Sequence, residues 1–282
     1  MIKHTYLPAI LFLSAILFSC KKDIADQQAV TNSSVEDFYT ETSLPVQTPV
    51  SYDINPNIGG YLEALPASYA KHKGKKYPLI IFLHGQGELG NGTTDLYKVA
   101  DNAIPKLIQN HQFPANFVVN NKPSQFIVIS PQFKAWPLSA DIDAVLNYAI
   151  AKYHIDTMKV YVCGLSMGGG GTWDYTIDYG KRLAAIVPIS GASWPTTDKA
   201  LKIAQSGVCV WAFHNQDDPT VPSWYSVDYV SYINSSTPRL PARLTIFPVS
   251  GHDAWTTATD PNYKEKGKNI YQWMLSKRNT NY

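Results

Sequence analysis

Ser166 lies in Gly164-Leu165-Ser166-Met167-Gly168, with Gly169 next. A serine between two such glycines is a candidate nucleophile. The run before it, Val160-Tyr161-Val162-Cys163, is apolar and rich in β-branched residues, so the pentapeptide closes a strand and opens a helix. In a turn that sharp the serine backbone is strained. A side chain at either flanking glycine would strike the adjoining strand or helix. The hydroxyl then stands clear at the top of a sheet with a helix N-terminus beneath it. That is a place to attack a carbonyl and to hold the oxyanion that forms. Gly-x-Ser-x-Gly also occurs in ordinary turns, so the reading requires a base, an acid and oxyanion donors elsewhere in the chain.

Three further strand ends supply candidates. His84-Gly85-Gln86-Gly87 follows the apolar run Leu79–Leu83. Glycines there let the backbone approach a substrate, and one N–H of this loop can join the N–H of Met167 in a two-donor oxyanion hole. Gln86 is the expected donor, with Gly85 next. The stretch His214-Asn215-Gln216-Asp217-Asp218-Pro219-Thr220-Val221-Pro222 places a carboxylate just past a strand, braced by prolines, as suits the group that orients a catalytic histidine. Asp218 is favoured because Pro219 fixes the loop after it; Asp217 is the alternative. The histidines stand at 4, 72, 84, 111, 154, 214 and 252. Only His252 follows both Ser166 and Asp218, in a glycine turn after a strand, which makes it the expected base. His84 and His214 read as structural residues bordering the site. No histidine pair has i, i+4 spacing beside an acid, and no Cys/His cluster exists, so neither a metal nor another cofactor is expected.

These groups need elements to hold them. Strands are expected at Gly60–Leu65, Tyr77–Leu83, Phe126–Ile129, Lys159–Cys163, Ala184–Ile189, Val208–Phe213 and Arg243–Pro248. Helices are expected over about Ser139–Tyr153, where Ile142, Val145, Leu146, Ala149 and Ile150 keep helical spacing and Ser139 could cap, and over Gly168–Tyr179, Ser223–Ile233 and Tyr263–Leu275. Strand and helix alternate, so the fold class is α/β with a mostly parallel, doubly wound sheet, whose reactive groups gather at the carboxyl ends of the strands.

The 282 residues, 45% hydrophobic and 16% charged, suffice for one large α/β domain with a sizeable core. A formal net charge of +2, with no basic block beyond Lys71, Lys73, Lys75 and Lys76, gives no sign of a nucleic-acid partner, and none is expected. Residues 1–19 read as a leader: Lys3 and His4 precede an apolar stretch from Tyr6 to Phe18, too short to span a membrane. Leu17-Phe18-Ser19-Cys20 resembles a bacterial lipobox, which makes Cys20 the expected site of lipidation. That expectation places the protein on a bacterial envelope, at the outer membrane, or secreted. A plain secretory signal is the alternative. Residues 20–49 are rich in Asp, Gln, Thr and Ser and read as a tether, leaving 50–282 as the catalytic domain. Cys163 and Cys209 fall on strands separated by another strand, too far apart for a disulfide, so two buried free thiols are expected.

Together, Tyr77–Glu88, Gly164–Gly169, Ser190-Gly191, His214–Pro222 and Gly251–Trp255 resemble the α/β-hydrolase serine esterases of the feruloyl-esterase, polyhydroxybutyrate-depolymerase and dienelactone-hydrolase neighbourhood. Nearest in pattern is a secreted bacterial peptidase and phospholipase–carboxylesterase group. The likeness runs from about Gly60 to Leu275. It implies Ser166 as nucleophile, Asp218 as acid and His252 as base, with Glu88 near the oxyanion loop and Trp255 beside the histidine. One departure is Asn215, where the pattern has Gly; Asn tolerates positive φ better than most residues. Trp136, Trp194, Trp224 and Trp255 fall in loops or at helix starts, where they line a cleft for sugars or phenolic acyl groups or else pack loops onto the core. The expectation is a serine esterase acting on a small-molecule or polysaccharide-linked ester. The alternatives are a serine peptidase of the same fold and a non-catalytic surface binding module.

Overall fold

The structure is a computed structural model and describes residues 1–5 and 38–281. Its contacts divide the chain into Met1–Val35 and Glu36–Tyr282, and every element among the described residues lies in the second unit. Most of the expected leader, Cys20 and residues 21–37 of the expected tether fall outside the described residues.

In chain order the strands are β1 (Val46–Asn55), β2 (Ile58–Leu65), β3 (Tyr77–Leu83), β4 (Phe117–Val119), β5 (Lys122–Ser124), β6 (Ile127–Phe133), β7 (Ile155–Leu165), β8 (Ala185–Ile189), β9 (Cys209–Asp217) and β10 (Arg243–Ser250). The helices are α1 (Ala103–Gln109), α2 (Ser139–Lys152), α3 (Met167–Tyr179), α4 (Thr197–Ser206), α5 (Trp224–Ser235), α6 (Trp255–Thr259) and α7 (Ile270–Leu275). Eight strands form one sheet in the order β1-β2-β6-β3-β7-β8-β9-β10, and β4 pairs with β5 apart from it. From β6 to β10 all neighbours run parallel; β1 and β2 join antiparallel at one edge.

The continuous apolar run of β3 is what a strand covered on both faces requires. Leu79, Ile81 and Leu83 face the cluster that α2, α3, α4 and α5 close with Ile142, Trp173, Ile203 and Tyr229. Ile80 and Phe82 face the opposite cluster, closed by α1, α6 and α7 with Ile104, Ala258 and Tyr271. All these β3 side chains are fully buried, and each contributes about 2 kcal/mol relative to an exposed position. After β3 the chain places β6 on one side and β7 on the other. The connections therefore diverge beside β3, and in such sheets the crevice opens at the carboxyl ends of the diverging strands.

Three expectations are corrected. The folded part begins before residue 50: β1 starts at Val46, and Glu41 is buried, its carboxylate accepting from the Ser68 N–H at 2.7 Å. Polar composition hid a segment anchored by hydrogen bonds together with the packing of Tyr39 against the core. Ser139 does not cap α2; the Asp141 carboxylate accepts from the Leu138 N–H at 2.9 Å, and the Ser139 hydroxyl turns to the Asp174 carbonyl. The last helix covers only Ile270–Leu275, because Lys266 and Gly267 take positive φ and Asn269 caps the helix through the Gln272 N–H.

Cys163 and Cys209 are buried and free, on β7 and β9 with β8 between them. Burial raises both thiol pKa values, which keeps them protonated and unreactive.

Candidate active site

Ser166 joins β7 to α3 with φ 51° and ψ −115°. An L-residue holds such a conformation only when its surroundings fix it. They do: the Ser166 N–H donates to the Ile189 carbonyl at 2.9 Å, and its own carbonyl accepts from Gly170 at 2.9 Å and Ala192 at 3.0 Å. The flanking glycines are sterically required. A Cβ on Gly164 would stand 2.3 Å from the Gly168 carbonyl oxygen, and one on Gly168 would stand 2.1 Å from that of Leu83.

The structure brings Ser166, His252 and Asp218 into one hydrogen-bonded chain. Ser166 Oγ is 2.8 Å from His252 Nε2, and His252 Nδ1 is 2.6 Å from Asp218 Oδ2. A carboxylate only accepts, so Nδ1 carries the proton and Nε2 is left to accept from the serine hydroxyl. The Asp218 side chain is fully buried. Its Oδ1 accepts from the N–H groups of Thr220 at 2.8 Å and Val221 at 3.0 Å, which locks its orientation. Asp217 ends β9 with its side chain exposed, and its carbonyl accepts from the Gly251 N–H at 3.2 Å. The two aspartates are thus separated by burial, a difference their adjacency in sequence could not reveal.

His214 also reaches Asp218, its Nε2 lying 3.2 Å from Oδ2. That nitrogen donates to the Val221 carbonyl at 2.9 Å, and Nδ1 accepts from the Ser226 hydroxyl at 2.8 Å. Burial lowers the pKa of His214 below the ordinary histidine value, so the ring is neutral at pH 7. The histidine expected to border the site therefore contacts its carboxylate directly. The His252 turn is braced from two other strands. The Ser190 hydroxyl donates to the His252 carbonyl at 3.1 Å, and the Asn215 amide donates to the Gly251 carbonyl at 2.8 Å. Asn215 does not use positive φ; its side chain does the work the sequence reading gave to its backbone.

The His84–Gly87 loop packs against the serine, since a Cβ on Gly85 would lie 3.7 Å from Ser166 Cβ. Gln86 begins a single helical turn, Gln86–Glu88, and Met167 begins α3. The N–H groups of both first residues have no partner within their own turns. His84 is fixed by Nδ1–H donating to the Gly85 carbonyl at 2.7 Å and Nε2 accepting from the Phe133 N–H at 3.0 Å. Glu88 is buried. The Trp255 and His252 ring centroids are 5.1 Å apart and perpendicular.

The exposed tryptophans fall in loops that follow strands, Trp136 and Trp194, or at the start of α5, Trp224. Trp194, after β8, stacks edge to face on Trp224 at 4.9 Å and on Tyr225 at 5.5 Å. Trp194 and Trp224 are 59% and 39% exposed. Trp136 is exposed in the loop after β6, and its neighbour Pro137 lies over Gly171 of α3. Among the described residues no cluster of three or more His, Cys, Asp or Glu is placed to hold a metal ion.

Residues 67–260 match the phospholipase/carboxylesterase family model. The chain superposes on a thermostable esterase with a TM-score of 0.56 at 22% identity, over 83% of this chain and 63% of that one. It thus spans less than two thirds of that esterase's length. The feruloyl esterase module from Clostridium thermocellum, complexed with sinapinate, gives a TM-score of 0.53 at 17% identity over 78% of this chain and 86% of that one. Fluorophosphonate-binding serine hydrolase F of Staphylococcus aureus gives 0.53 at 17% identity over 76% and 94%. No curated protein sequence is detectably similar. At these identities the superpositions speak to the fold, which is that of the α/β-hydrolases, and the family match covers more than half of the chain. The chain belongs to the phospholipase/carboxylesterase family, a family of carboxylic ester hydrolases.

Proposed function

We propose that this protein is a serine esterase that works through an acyl-enzyme, with Ser166 as nucleophile, His252 as general base and acid, and Asp218 as the group that orients the histidine. The observation that carries the reading is the continuous chain from Ser166 Oγ through His252 to Asp218 at 2.8 and 2.6 Å. His252 Nε2 takes the hydroxyl proton as Oγ attacks the ester carbonyl. Asp218 stabilises the imidazolium, and the N–H groups of Met167 and Gln86 receive the oxyanion. Collapse of the tetrahedral intermediate breaks the bond to the alcohol oxygen, which leaves with the proton from His252. Water, deprotonated by the same nitrogen, then attacks the acyl-serine, and the carboxylic acid departs as the serine regains its proton.

For the substrate we propose acyl or feruloyl groups linked to polysaccharide. The aromatic cluster of Trp194, Trp224 and Tyr225 supports this, since exposed ring faces beside the Asp218 loop suit sugar and phenolic planes. Ser166→Ala, folded as the wild type, should lower hydrolysis of p-nitrophenyl acetate by about ten-thousandfold and abolish labelling by a fluorophosphonate probe. Near-wild-type turnover would remove Ser166 from the mechanism. Equal kcat/KM on feruloylated or acetylated xylan fragments and on simple short-chain esters would remove the polysaccharide reading.

A further inference from the structure

Asn102 stands between the loop ahead of the nucleophile and the loop that carries the base. Its Nδ2 donates to Glu88 Oε1, and its Oδ1 accepts from Trp255 Nε1 at 3.2 Å. The amide orientation follows from chemistry: a carboxylate only accepts and an indole N–H only donates. Trp255 in turn stands perpendicular to His252 at 5.1 Å. On the other side, Glu88 closes the Gln86–Glu88 turn, and Glu88 Oε2 would lie 3.0 Å from a Cβ on Gly85. One side chain therefore joins the loop that supplies the oxyanion donor to the residue packed on the histidine ring, by a route that bypasses β7 and α3.

The local structure is arranged around that bridge. Asn102 is the N-cap residue of α1, yet its side chain makes no capping bond, although an Asn cap ordinarily stabilises a helix by about 1 kcal/mol. Ala103, the first residue of α1, takes φ 52°, a conformation that costs a non-glycine residue about 1 kcal/mol or more. The helix start forgoes a cap and carries strain, and the amide is turned away from α1. Glu88 Oε2 is buried with no hydrogen-bond partner among the described residues. The Asn102 amide is thus the hydrogen bond that holds this buried carboxyl in place.

We infer that Asn102 is a positioning residue for ester hydrolysis, fixing the oxyanion loop through Glu88 and the catalytic histidine through Trp255. This rests on the esterase reading above. A misplacement of about 1 Å at either end of such a bridge is worth up to about a hundredfold in rate.

The test exchanges the two ends of the hydrogen bond. Activity per active site is measured with p-nitrophenyl acetate, the sites being counted by fluorophosphonate titration so that misfolded protein drops out. Asn102→Ala should lower kcat by about thirtyfold with KM within about threefold. Asn102→Asp sets two carboxyl groups face to face and should lower kcat at least as far. The double variant Glu88→Gln, Asn102→Asp restores an amide–carboxylate pair of unchanged net charge, and still offers Trp255 an acceptor. It should recover kcat to within about threefold of wild type. A structural role alone would lower the titratable sites and the melting temperature and leave kcat per site unchanged. If Asn102→Ala does not fold, Trp255→Phe keeps the ring, removes the N–H, and should lower kcat by about fivefold. Unchanged kcat per site in the alanine variant, or in Trp255→Phe where that stands in, overturns the inference, as does a double variant no more active than Asn102→Asp. The esterase reading is judged separately, by wild-type turnover and its loss in Ser166→Ala.

Discussion

Asp218 accepts three hydrogen bonds on two oxygens, from the Thr220 and Val221 N–H groups on Oδ1 and from His252 Nδ1–H on Oδ2, and His214 Nε2 stands 3.2 Å from that second oxygen. Each favours a carboxylate in one fixed orientation, which a catalytic histidine needs if it is to keep the right tautomer. Asp217, one residue earlier, is exposed at the end of β9. Asp218→Asn should therefore lower kcat by about ten-thousandfold, whereas Asp217→Asn should stay within about threefold of wild type because surface changes away from the reacting groups have small effects. Comparable losses in the two variants would show that the geometry at Asp218 does not select the acid. Ser166 and His252 were legible in the sequence because the glycine turn and the Ser, acid, His order are local or ordinal signals. The choice between Asp217 and Asp218 depends on which carboxylate faces inward. Asn102 left no signal at all: its partners Glu88 and Trp255 lie 14 and 153 residues away.

At the scale of elements, β7 and α3 meet through glycines because the helix start crosses the end of β3. Gly168 shows the constraint most sharply, its absent Cβ lying 2.1 Å from the Leu83 carbonyl oxygen and 2.6 Å from that of His84. Both obstacles are backbone and cannot rotate away. Gly168→Ala should destabilise the domain by about 3 kcal/mol and displace α3 from the serine, so that residual folded protein hydrolyses ester at a small fraction of the wild-type rate. Urea denaturation and active-site titration measure the two effects, and a stable, fully active variant would show that β3 and α3 can separate without cost. The strands that build this crossing were readable because both faces of the sheet are covered and their apolar runs are continuous. The elements the sequence reading missed are short or polar. Helix α4 has Thr196 accepting from the Lys199 N–H and Gly207 at φ 76°, cap signals that were present but carried only a few buried positions, Ala200, Ile203 and Ala204 among them. Strand β1 lies at the sheet edge, mostly exposed, and so lacks the apolar pattern that marks its neighbours.

At the scale of the whole molecule, the site is tied to global stability through two buried histidines at the carboxyl ends of β3 and β9. His84 is 1% exposed, and its Nε2 accepts from the Phe133 N–H. A proton on that nitrogen would face another donor and stand in a dry site. Burial accordingly lowers its pKa to about 4 from 6.5, and burial shifts His214 in the same direction. In the unfolded chain both rings titrate near about 6.5. As pH falls through that value the unfolded state binds protons that the folded state refuses, so stability is full above about pH 6.5 and is lost progressively toward pH 4. For His84 alone the loss between pH 7 and pH 4.5 comes to about 2 kcal/mol, at about 1.4 kcal/mol for each pH unit of differential titration. His84→Asn keeps a donor where Nδ1–H meets the Gly85 carbonyl and removes the titrating group. That variant should start less stable at pH 7, having lost the acceptor for Phe133, yet it should lose about 2 kcal/mol less than the wild type on going to pH 4.5. Urea unfolding of both proteins at the two pH values isolates the difference, because groups remote from His84 contribute equally to each; Glu88, whose Oε2 is 4.0 Å from His84 Nδ1, is the neighbour whose contribution the variant also changes. Parallel loss in the two proteins would mean that His84 takes up its proton in the folded state and that the Phe133 bond yields to it.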